Sequence, residues 1–304
     1  MRNAHIIITS YEEERIKMGL KYYPSYKIYV GYNKEPYPGD HEAVAKETEY
    51  NIVNILTEMG ELTQEENELL IKEIEERFSS TPPKPLKKHN YSKVEFFPVN
   101  FYNFRESLLT LYEIMYKEIR LKNRVVINVS GGTRPVALAS VVVSMILGGE
   151  KNCTPFYFLA RKWQKDEKIR TRRAGIVTGE GVMGEEILIL PIFDLSDLIP
   201  GEDIEQAIIL SLREKPLRSI GEIAKKIRET FRDVYDQLAG YSKEIETEKA
   251  KRLIIAKLNH YVRKLAEDKK LINKRHRHIE LTDIGKLIAD FLNIKRRIDE
   301  LHKI

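Results

Sequence analysis

Five small, polar or basic residues stand in a row directly after an apolar run: Ser130, Gly131, Gly132, Thr133 and Arg134. Paired glycines let the backbone approach an anion without Cβ atoms in the way, and free N–H groups then point toward it. Hydroxyl groups at such a position cap a helix or donate to a ligand, and the arginine adds a permanent positive charge. The string therefore indicates a phosphate-binding turn. A tight turn without a ligand is the alternative that these residues leave open.

The residues on either side predict that this string joins a strand to a helix. Residues 125–130 are typical of a short buried strand, and Val136–Leu147 is typical of a long apolar helix. The first strand, His5–Ser10, also ends in hydroxyl residues, Thr9 and Ser10. Ligand sites of parallel α/β sheets lie beyond the carboxyl ends of the strands, so we expect the two turns to meet there.

Strands and helices alternate along the first two-thirds of the chain. Further strands are predicted at residues 26–31, 94–99, 155–159 and 186–191, and helices at 41–59, 63–78 and 104–120. This alternation predicts an α/β fold class, with a Rossmann-like, mainly parallel sheet domain over residues 1–198. Pro200 and Gly201 mark the boundary, and we expect residues 199–304 to form a second, mostly helical domain.

Composition narrows the class of protein. Cys153 is the single cysteine among 304 residues, which excludes an internal disulfide and a multi-cysteine metal site. No run approaches the roughly 20 apolar residues of a membrane span, and no signal peptide precedes the first strand. We therefore expect a cytoplasmic protein without a membrane partner or a bound metal. Abundant Lys, Glu and Ile with only four Gln resemble the composition of thermophile proteins.

Two common nucleotide motifs are missing from the places where they would be expected. The sequence contains no G-x-x-x-x-G-K-S/T, and no G-x-G-x-x-G follows the first strand. We therefore expect no cofactor and no ordinary kinase, ATPase or dehydrogenase chemistry.

Positive charge is concentrated in the last third of the chain. Residues 201–304 contain 24 Lys and Arg against 18 Asp and Glu, a net charge of +6, whereas residues 1–200 contain 27 against 28. Neutralisation of phosphates by Lys and Arg dominates nucleic-acid affinity, so this excess predicts a polyanionic partner for the second domain. A solvated charged surface is the alternative.

The last third also has a recognisable order of elements. Ser219 and Glu222 have the spacing of a capping box at the start of a helix, and Glu246–Asp268 is a longer helix with one apolar side. Two short strands, at residues 270–272 and 279–282, flank a basic turn, and a final helix is predicted at Asp283–Leu292.

The string Val126–Arg134 resembles the signature of CARF (CRISPR-associated Rossmann fold) domains, in which a strand ends in Asn, an aliphatic residue, Thr or Ser, and then Gly-Gly-Thr-Lys/Arg. The resemblance covers the first two-thirds of the chain and implies a homodimer that binds a cyclic oligoadenylate across its two-fold axis. Pro135 departs from the usual pattern, although proline suits a first helical position. The ligand-facing residues that the resemblance implies are Thr9, Ser10, Asn128, Ser130, Gly131, Gly132, Thr133 and Arg134.

A basic stretch, residues 161–173, follows the strand predicted at 155–159. We include Lys162 among the ligand-binding candidates because a lysine there would reach ligand phosphates as a point charge. An exposed loop is the alternative for this stretch. Trp163, the only tryptophan, is predicted to be a core residue rather than a base-stacking one.

The last third resembles the winged helix-turn-helix of archaeal and bacterial regulators. In that family a recognition helix enters the major groove and the wing contacts the DNA backbone or the minor groove. The candidate DNA contacts are Lys257, Asn259, His260, Arg263 and Lys264 on the helix and Lys274, Arg275, His276 and Arg277 on the wing. Residues 231–247 are longer than a normal turn between such helices. A winged helix that only dimerises is the alternative.

Three functions are compatible with this sequence. The first is a CRISPR-associated transcription regulator that senses a cyclic oligoadenylate and binds DNA. The second is a metal-independent ring nuclease that linearises the same ligand, for which Ser10, Arg134 and Lys162 are the catalytic candidates. The third is an RNA-cleaving effector, since Arg297–His302 fits the R-x4–6-H pattern of HEPN nucleases. Such a loose match in a Lys/Arg-rich helix is interpreted as chance.

Overall fold

The structure, a computed structural model, describes residues 2–10, 13–36, 40–80, 82–87, 93–159, 162–163, 182–183, 186–239, 248–275 and 278–302. The chain divides into two compact units, Met1–Ser196 and Asp197–Ile304. No helix among the described residues combines the length and the apolar character needed to cross a membrane.

The first unit alternates strands with helices. Its strands are β1 Asn3–Ile8, β2 Lys27–Asn33, β3 Val94–Val99, β4 Arg124–Asn128, β5 Cys153–Leu159, β6 Lys162–Trp163, β7 Val182–Met183 and β8 Glu186–Ile189. Its helices are α1 Glu13–Tyr22, α2 Asp40–Glu58, α3 Gln64–Phe78, α4 Phe104–Arg120 and α5 Arg134–Ile146.

Six of these strands form one sheet in the order β3-β2-β1-β4-β5-β8. The first five run parallel, and β8 pairs with β5 in the antiparallel direction. Residues 4–8 of β1 and 125–128 of β4 are buried, as expected for central strands of a sheet covered by helices on both faces. The predicted fold class, a Rossmann-like and mainly parallel sheet, is confirmed.

The ends of the parallel strands lie along two opposite borders of the sheet. At the border that we call the carboxyl edge, the strands end and helices α1, α2, α4 and α5 begin. At the opposite border, the amino edge, the parallel strands begin. The chain leaves the first unit after β8, and the Leu195 N–H donates to the Met145 carbonyl in the last turn of α5 at 2.9 Å. This peptide is therefore bonded to α5 at the amino edge.

A buried arginine joins three parts of the first unit. The Arg77 and Glu49 side chains are each 1% exposed, and their Nε and Oε2 atoms are 3.2 Å apart. Arg77 also donates from Nη1 to the Lys84 carbonyl at 2.6 Å and from Nη2 to the Asn33 carbonyl at 2.5 Å. Burial raises the pKa of the Glu49 carboxyl to about 7, and the arginine charge opposes this.

His5 lies fully buried in the middle of β1. Its ring meets the Phe156 ring edge-on, with centroids 5.6 Å apart. Burial lowers the pKa of the imidazole to about 3, because the charged form is not solvated there. The folded protein therefore holds His5 neutral where the unfolded chain would begin to protonate it.

Replacing His5 with leucine should remove one acid-sensitive contribution to stability. A depressed histidine pKa costs stability as the pH falls below about 6.5, by about 1.4 kcal/mol per pH unit down to the folded-state value. The free energy of unfolding of His5→Leu minus that of the wild type should therefore grow by about 1.4 kcal/mol for each pH unit between pH 6.5 and 4. Denaturant unfolding of both proteins at several pH values measures the difference. The opposite pH dependence that Glu49 contributes is present in both proteins and therefore cancels.

The matched control is His278→Leu at an exposed strand position. Its side chain is solvated in the folded chain, so the argument from burial does not apply to it. A flat profile for His5→Leu would contradict the buried neutral imidazole.

The second unit is mostly helical. Its elements are α6 Asp203–Ser211, α7 Ile220–Thr230, α8 Arg232–Ala239, α9 Glu248–Glu267, β9 Ile272–Arg275, β10 His278–Leu281 and α10 Asp283–Leu301. The strands β9 and β10 form an antiparallel hairpin. Leu217 extends this hairpin by an isolated bridge to Ile279, with paired backbone hydrogen bonds of 3.0 and 2.7 Å.

Three local expectations for this unit need correction. The predicted capping box is only half formed, because the Ser219 side chain accepts from the Glu222 N–H but the Glu222 carboxylate accepts from the Arg218 N–H. The long turn predicted after α7 contains a further helix, α8. The last helix extends nine residues beyond Leu292, because Ile294 and Ile298 continue its buried side.

Candidate functional sites

The two turns expected to meet at the carboxyl edge do so. β1 and β4 are neighbours, with Ile7 paired to Asn128, so the residues that follow them start side by side. A Cβ atom built on Gly131 would lie 3.2 Å from the Ser10 Cβ. The Thr9–Ser10 turn therefore contacts the glycine turn, as we call residues 129–133 between β4 and α5.

Both glycines of this turn are required by its geometry. A Cβ on Gly131 would lie 2.6 Å from the backbone oxygen of Ile8, and a Cβ on Gly132 would lie 2.5 Å from the Ile8 Cγ2 atom. Gly132 also has φ +74°, a left-handed conformation that glycine adopts without strain. Gly131 is buried and Gly132 is exposed, so the second glycine presents its backbone to solvent.

Two predicted ligand residues hold the turn in place. Asn128 is buried, and its amide donates to the Arg15 carbonyl at 3.3 Å and accepts from the Ser130 N–H at 3.0 Å. The Ser130 hydroxyl oxygen accepts from the Phe158 N–H of β5 at 2.8 Å. These contacts give Asn128 and Ser130 a supporting role that their sequence positions did not reveal.

The two threonines are also engaged by the protein. Thr9 is buried, and its N–H donates to the Gly31 carbonyl at 2.9 Å. Thr133 is the N-cap residue of α5 but makes no capping hydrogen bond, because its hydroxyl donates to the carbonyl of Phe101. Of the two roles expected for a hydroxyl here, capping the helix or donating to a ligand, the cap is not formed. The hydroxyl attaches the β3–α4 loop to the glycine turn.

The start of α5 is suited to bind an anion. The N–H groups of its first turn have no partner within the helix, although Pro135 at the second position has no N–H to offer. The helix dipole places positive potential at this end. Arg134, the first helical residue, is exposed and adds its charge at the same end. By contrast, the neighbouring helix α4 is capped by the Asn103 side chain, which accepts from the Glu106 N–H. Of these two helix ends, only that of α5 is uncapped and basic.

A second arginine near the glycine turn was not predicted. Arg15 lies on α1, is 5% exposed and places its guanidinium 5.5 Å from the Tyr157 ring centroid on β5. Its carbonyl is the group that Asn128 contacts. In the sequence this arginine is one charged residue among several, so no local pattern distinguished it.

Lys162 starts the short strand β6, where it pairs with Met183 of β7. The Lys162 side chain lies outside the described residues, as do most of residues 161–173. Its contact with a ligand stays a prediction, and so does the core position of Trp163.

The predicted recognition helix, α9, has one buried and one exposed side. Ile254, Leu258, Val262 and Leu265 are buried, whereas Asn259, His260 and Arg263 are exposed. Arg263 forms an exposed ion pair with Glu267 four residues later, at 2.9 Å, and such pairs are weak. His260 and Arg263 are therefore available to a partner, whereas the Asn259 amide oxygen also accepts from Lys274.

Two basic residues of the same helix have partners within the unit. Lys264 Nζ lies 2.8 Å from Glu202 and 2.9 Å from the buried Glu205, and Lys269 Nζ also contacts Glu205 at 3.0 Å. Lys257 donates to the Leu238 carbonyl of α8 at 2.9 Å. Lys257 and His260 also line a cavity of about 460 Å³ among α6, α8 and α9. Lys257 is thus exposed and Lys264 half-buried, and both have structural contacts within the unit.

The hairpin β9–β10 carries the other predicted DNA contacts. Lys274 donates to the Asn259 amide oxygen at 3.1 Å, an exposed contact between the hairpin and α9. The Arg275 side chain is 77% exposed at the end of β9. His276 and Arg277, at the tip, lie outside the described residues.

Comparison with known proteins gives one family. The family model described as "HFX_2341_N:-like, N-terminal" matches residues 3–162. No curated protein sequence matches the chain.

Two solved structures are similar to the chain at low identity. Can2 from Sulfobacillus thermosulfidooxidans, in complex with cyclic tetra-adenylate, is 12% identical with a TM-score of 0.30, over 96% of this chain and 63% of that one. Protein VC1899 from Vibrio cholerae is 12% identical with a TM-score of 0.30, over 99% of this chain and 68% of that one. The chain therefore spans less than two-thirds of the length of Can2.

Proposed function

The chain belongs to the HFX_2341_N:-like, N-terminal family through residues 3–162, and on that premise we propose that it is a ligand-responsive regulator. In this proposal the first unit binds a cyclic oligoadenylate and the second unit binds DNA. The protein acts in the cytoplasm as a homodimer. Two copies are expected because a ring ligand with two-fold symmetry is best held by two copies of one site.

The ligand-binding part of the proposal rests on one observation, the contact between the Thr9–Ser10 turn and Gly131. It brings a hydroxyl-bearing loop, an exposed glycine backbone and the charge of Arg134 to one edge of the sheet. Backbone N–H groups at a helix start bind phosphate oxygens, and a nearby arginine strengthens such binding by charge-assisted hydrogen bonds. The choice of a cyclic oligoadenylate is supported by the resemblance of residues 126–134 to the CARF signature.

The DNA half is supported by the arrangement of the second unit. The helices α6, α7 and α9, the bridge from Leu217 to Ile279 and the β9–β10 hairpin have the order of a winged helix. Asn259 and His260 lie on the exposed side of α9 with Arg263, where a groove-binding helix presents its contacts. An asparagine is suited to a base edge, and an arginine to a phosphate or a guanine.

The experiment measures both bindings and their coupling on the full chain. Calorimetric titration with cyclic tetra-adenylate should give saturable binding at one ring per two chains, and sedimentation should give a dimer. Mobility shifts of genomic DNA fragments with and without the ring should give different affinities, since a ligand shifts DNA binding only if it binds the two states unequally. Absence of ring binding, or equal DNA affinity in both conditions, would reject the regulator.

Incubation of the full chain with cyclic tetra-adenylate distinguishes the regulator from a ring nuclease. A linear product, detected by chromatography, would favour the ring nuclease. A ring that is recovered unchanged would favour the regulator.

A pair of variants on α9 separates DNA contacts from structural ones. Arg263→Gln should weaken binding to DNA about fivefold, with unchanged thermal stability. The slope of log affinity against log salt concentration should fall by about one, the value for one lost phosphate contact. Lys264→Gln should instead lower the free energy of unfolding, because the buried Glu205 loses one of its two cations. Mobility shifts over a salt series and denaturant unfolding measure the two effects. Loss of stability in Arg263→Gln, with weaker DNA binding in a Lys264→Gln variant of unchanged stability, would contradict these two roles.

A further inference from the structure

The exposed side of helix α9 carries a regular stripe of four residues. Arg252, Ala256, Asn259 and Arg263 are all exposed, and their spacing of four, three and four residues places them on one face of the helix. The residues on the opposite face are buried in the second unit. The stripe therefore faces away from the core over three turns of α9.

The two arginines of this stripe differ in their surroundings. Arg263 donates from Nε to both carboxylate oxygens of Glu267, at 2.9 and 3.0 Å, so an acidic side chain offsets its charge. The Arg252 side chain, by contrast, forms no ion pair with any residue that the structure describes. The first arginine of the stripe thus presents its guanidinium and its full charge to solvent.

Ala256 is the smallest residue of the stripe and lies one turn after Arg252. A helix with its side chains is about 10–12 Å across, and the major groove of B-DNA is about 12 Å wide. The side chains that face the groove floor therefore determine how closely the helix approaches the bases. A methyl group permits a close approach and also fits against the C5-methyl group of thymine. At that depth an arginine one turn earlier reaches base edges as well as phosphates.

Asn259, the residue predicted to contact a base edge, is less suited to this task. An asparagine reads adenine with both the oxygen and the nitrogen of its amide, but the Asn259 oxygen already accepts from Lys274 of β9. Arg252 lies seven residues earlier, about 10 Å nearer the start of the helix. Recognition helices contact base edges through their N-terminal residues, which favours Arg252 over Asn259.

We infer that the N-terminal half of α9 enters the major groove, where Arg252 reads a guanine and Ala256 lies against the groove floor. The inference rests on the proposed function and extends it, because it assigns the readout of DNA sequence to these two residues. Arginine binds guanine O6 and N7 through two parallel hydrogen bonds. Arg263, whose charge is shared with Glu267, contacts a phosphate.

The test uses the full chain and a library of DNA duplexes with a randomised central segment. Selection by the wild type should give a preferred duplex, in which each guanine is then changed to adenine in turn. One of these changes should weaken binding of the wild type by about 5- to 150-fold, the range for one bidentate contact. The affinity of each protein for each duplex is measured by mobility shift.

Arg252→Gln and Arg263→Gln are the matched variants, since each removes one exposed positive charge from the same helix face. Arg252→Gln should lose the preference for that guanine, because glutamine does not form the bidentate contact to it. Arg263→Gln should bind every duplex about fivefold more weakly and keep the preference of the wild type.

A second pair of variants tests how closely the helix approaches. Ala256→Leu should weaken binding of every duplex at least about tenfold, because its bulk keeps Arg252 from the base edges. Leucine is a good helix former and Ala256 is exposed, so thermal unfolding should match the wild type. Ala256→Ser, with a side chain close to alanine in size, should bind within about threefold of the wild type.

A guanine preference that survives in Arg252→Gln, or one that is lost in Arg263→Gln, would overturn the assignment and leave DNA binding in place. Wild-type affinity in Ala256→Leu would overturn it as well, and so would a wild type that binds DNA without any sequence preference. A wild type that binds no duplex at all would reject the DNA-binding part of the proposed function and this assignment with it.

Discussion

Arg134→Glu should lower the affinity of the full chain for cyclic tetra-adenylate by at least about 100-fold. The substitution removes a charge-assisted hydrogen bond to phosphate, worth about 1.5–3 kcal/mol, and adds repulsion between two negative groups. The folded state should not suffer, because Arg134 is exposed and a carboxylate at a helix start interacts favourably with the helix dipole. Loss of binding would therefore report on the ligand contact. Calorimetric titration, with thermal unfolding in parallel, measures both quantities.

The matched control for this prediction is Arg120→Glu. Arg120 is also exposed and ends α4, at the amino edge of the same sheet. The same change of charge there should alter the affinity by no more than about twofold, since it is screened over a distance greater than the Debye length. Equal losses in the two variants would mean that net charge, rather than the start of α5, determines binding.

Arg77→Met should lower the free energy of unfolding by about 3–5 kcal/mol, the usual result when one partner of a buried ion pair is removed. The variant leaves the Glu49 carboxylate buried without its cation, which raises the pKa of Glu49 further above its value of about 7 in the wild type. A raised folded-state pKa means that stability is present at low pH and lost as the pH rises through it. The deficit of Arg77→Met should therefore be larger at pH 9 than at pH 5. Denaturant unfolding at both pH values measures it.

The double variant Glu49→Leu/Arg77→Met tests the cause. It replaces the ion pair by apolar side chains, so it should recover part of the lost stability, and its deficit against the wild type should no longer be larger at pH 9 than at pH 5. Recovery should be incomplete, because the Lys84 and Asn33 carbonyls still lack their arginine donor. A deficit in Arg77→Met that does not change with pH would contradict the role of Glu49.

The sequence pattern predicts the first unit well because its elements are long or uniformly apolar. Strand β3 and helix α4 begin and end where expected, at Val94–Val99 and Phe104–Arg120. Central strands of a parallel sheet are buried on both faces and appear as short apolar runs. The meeting of the two turns also followed from the sequence, since parallel neighbouring strands end at the same edge.

The contacts that the sequence did not predict join distant residues. The Thr133 hydroxyl, a possible helix cap or ligand donor, donates to the carbonyl of Phe101, 32 residues earlier. Lys264, a predicted DNA contact, also has Glu202 and Glu205 as partners in the fold. Neither partner is encoded in a local pattern.

Helix α8 was missed for a different reason. Its eight residues bury only Tyr235, Leu238 and Ala239, which is too few to establish a helical period against a charged background.

Helix α5 connects two features that lie at opposite edges of the sheet. It begins at Arg134, beside the glycine turn, and its last turn supplies the Met145 carbonyl that holds the Leu195 N–H. Thirteen residues at 1.5 Å each make a rod of about 20 Å. Backbone hydrogen bonds make a helix stiff along its axis, so an axial shift at its first turn would also displace its last turn. The Leu195 peptide, which leads out of the first unit, is thus bonded to the last turn of the helix whose first residue is Arg134.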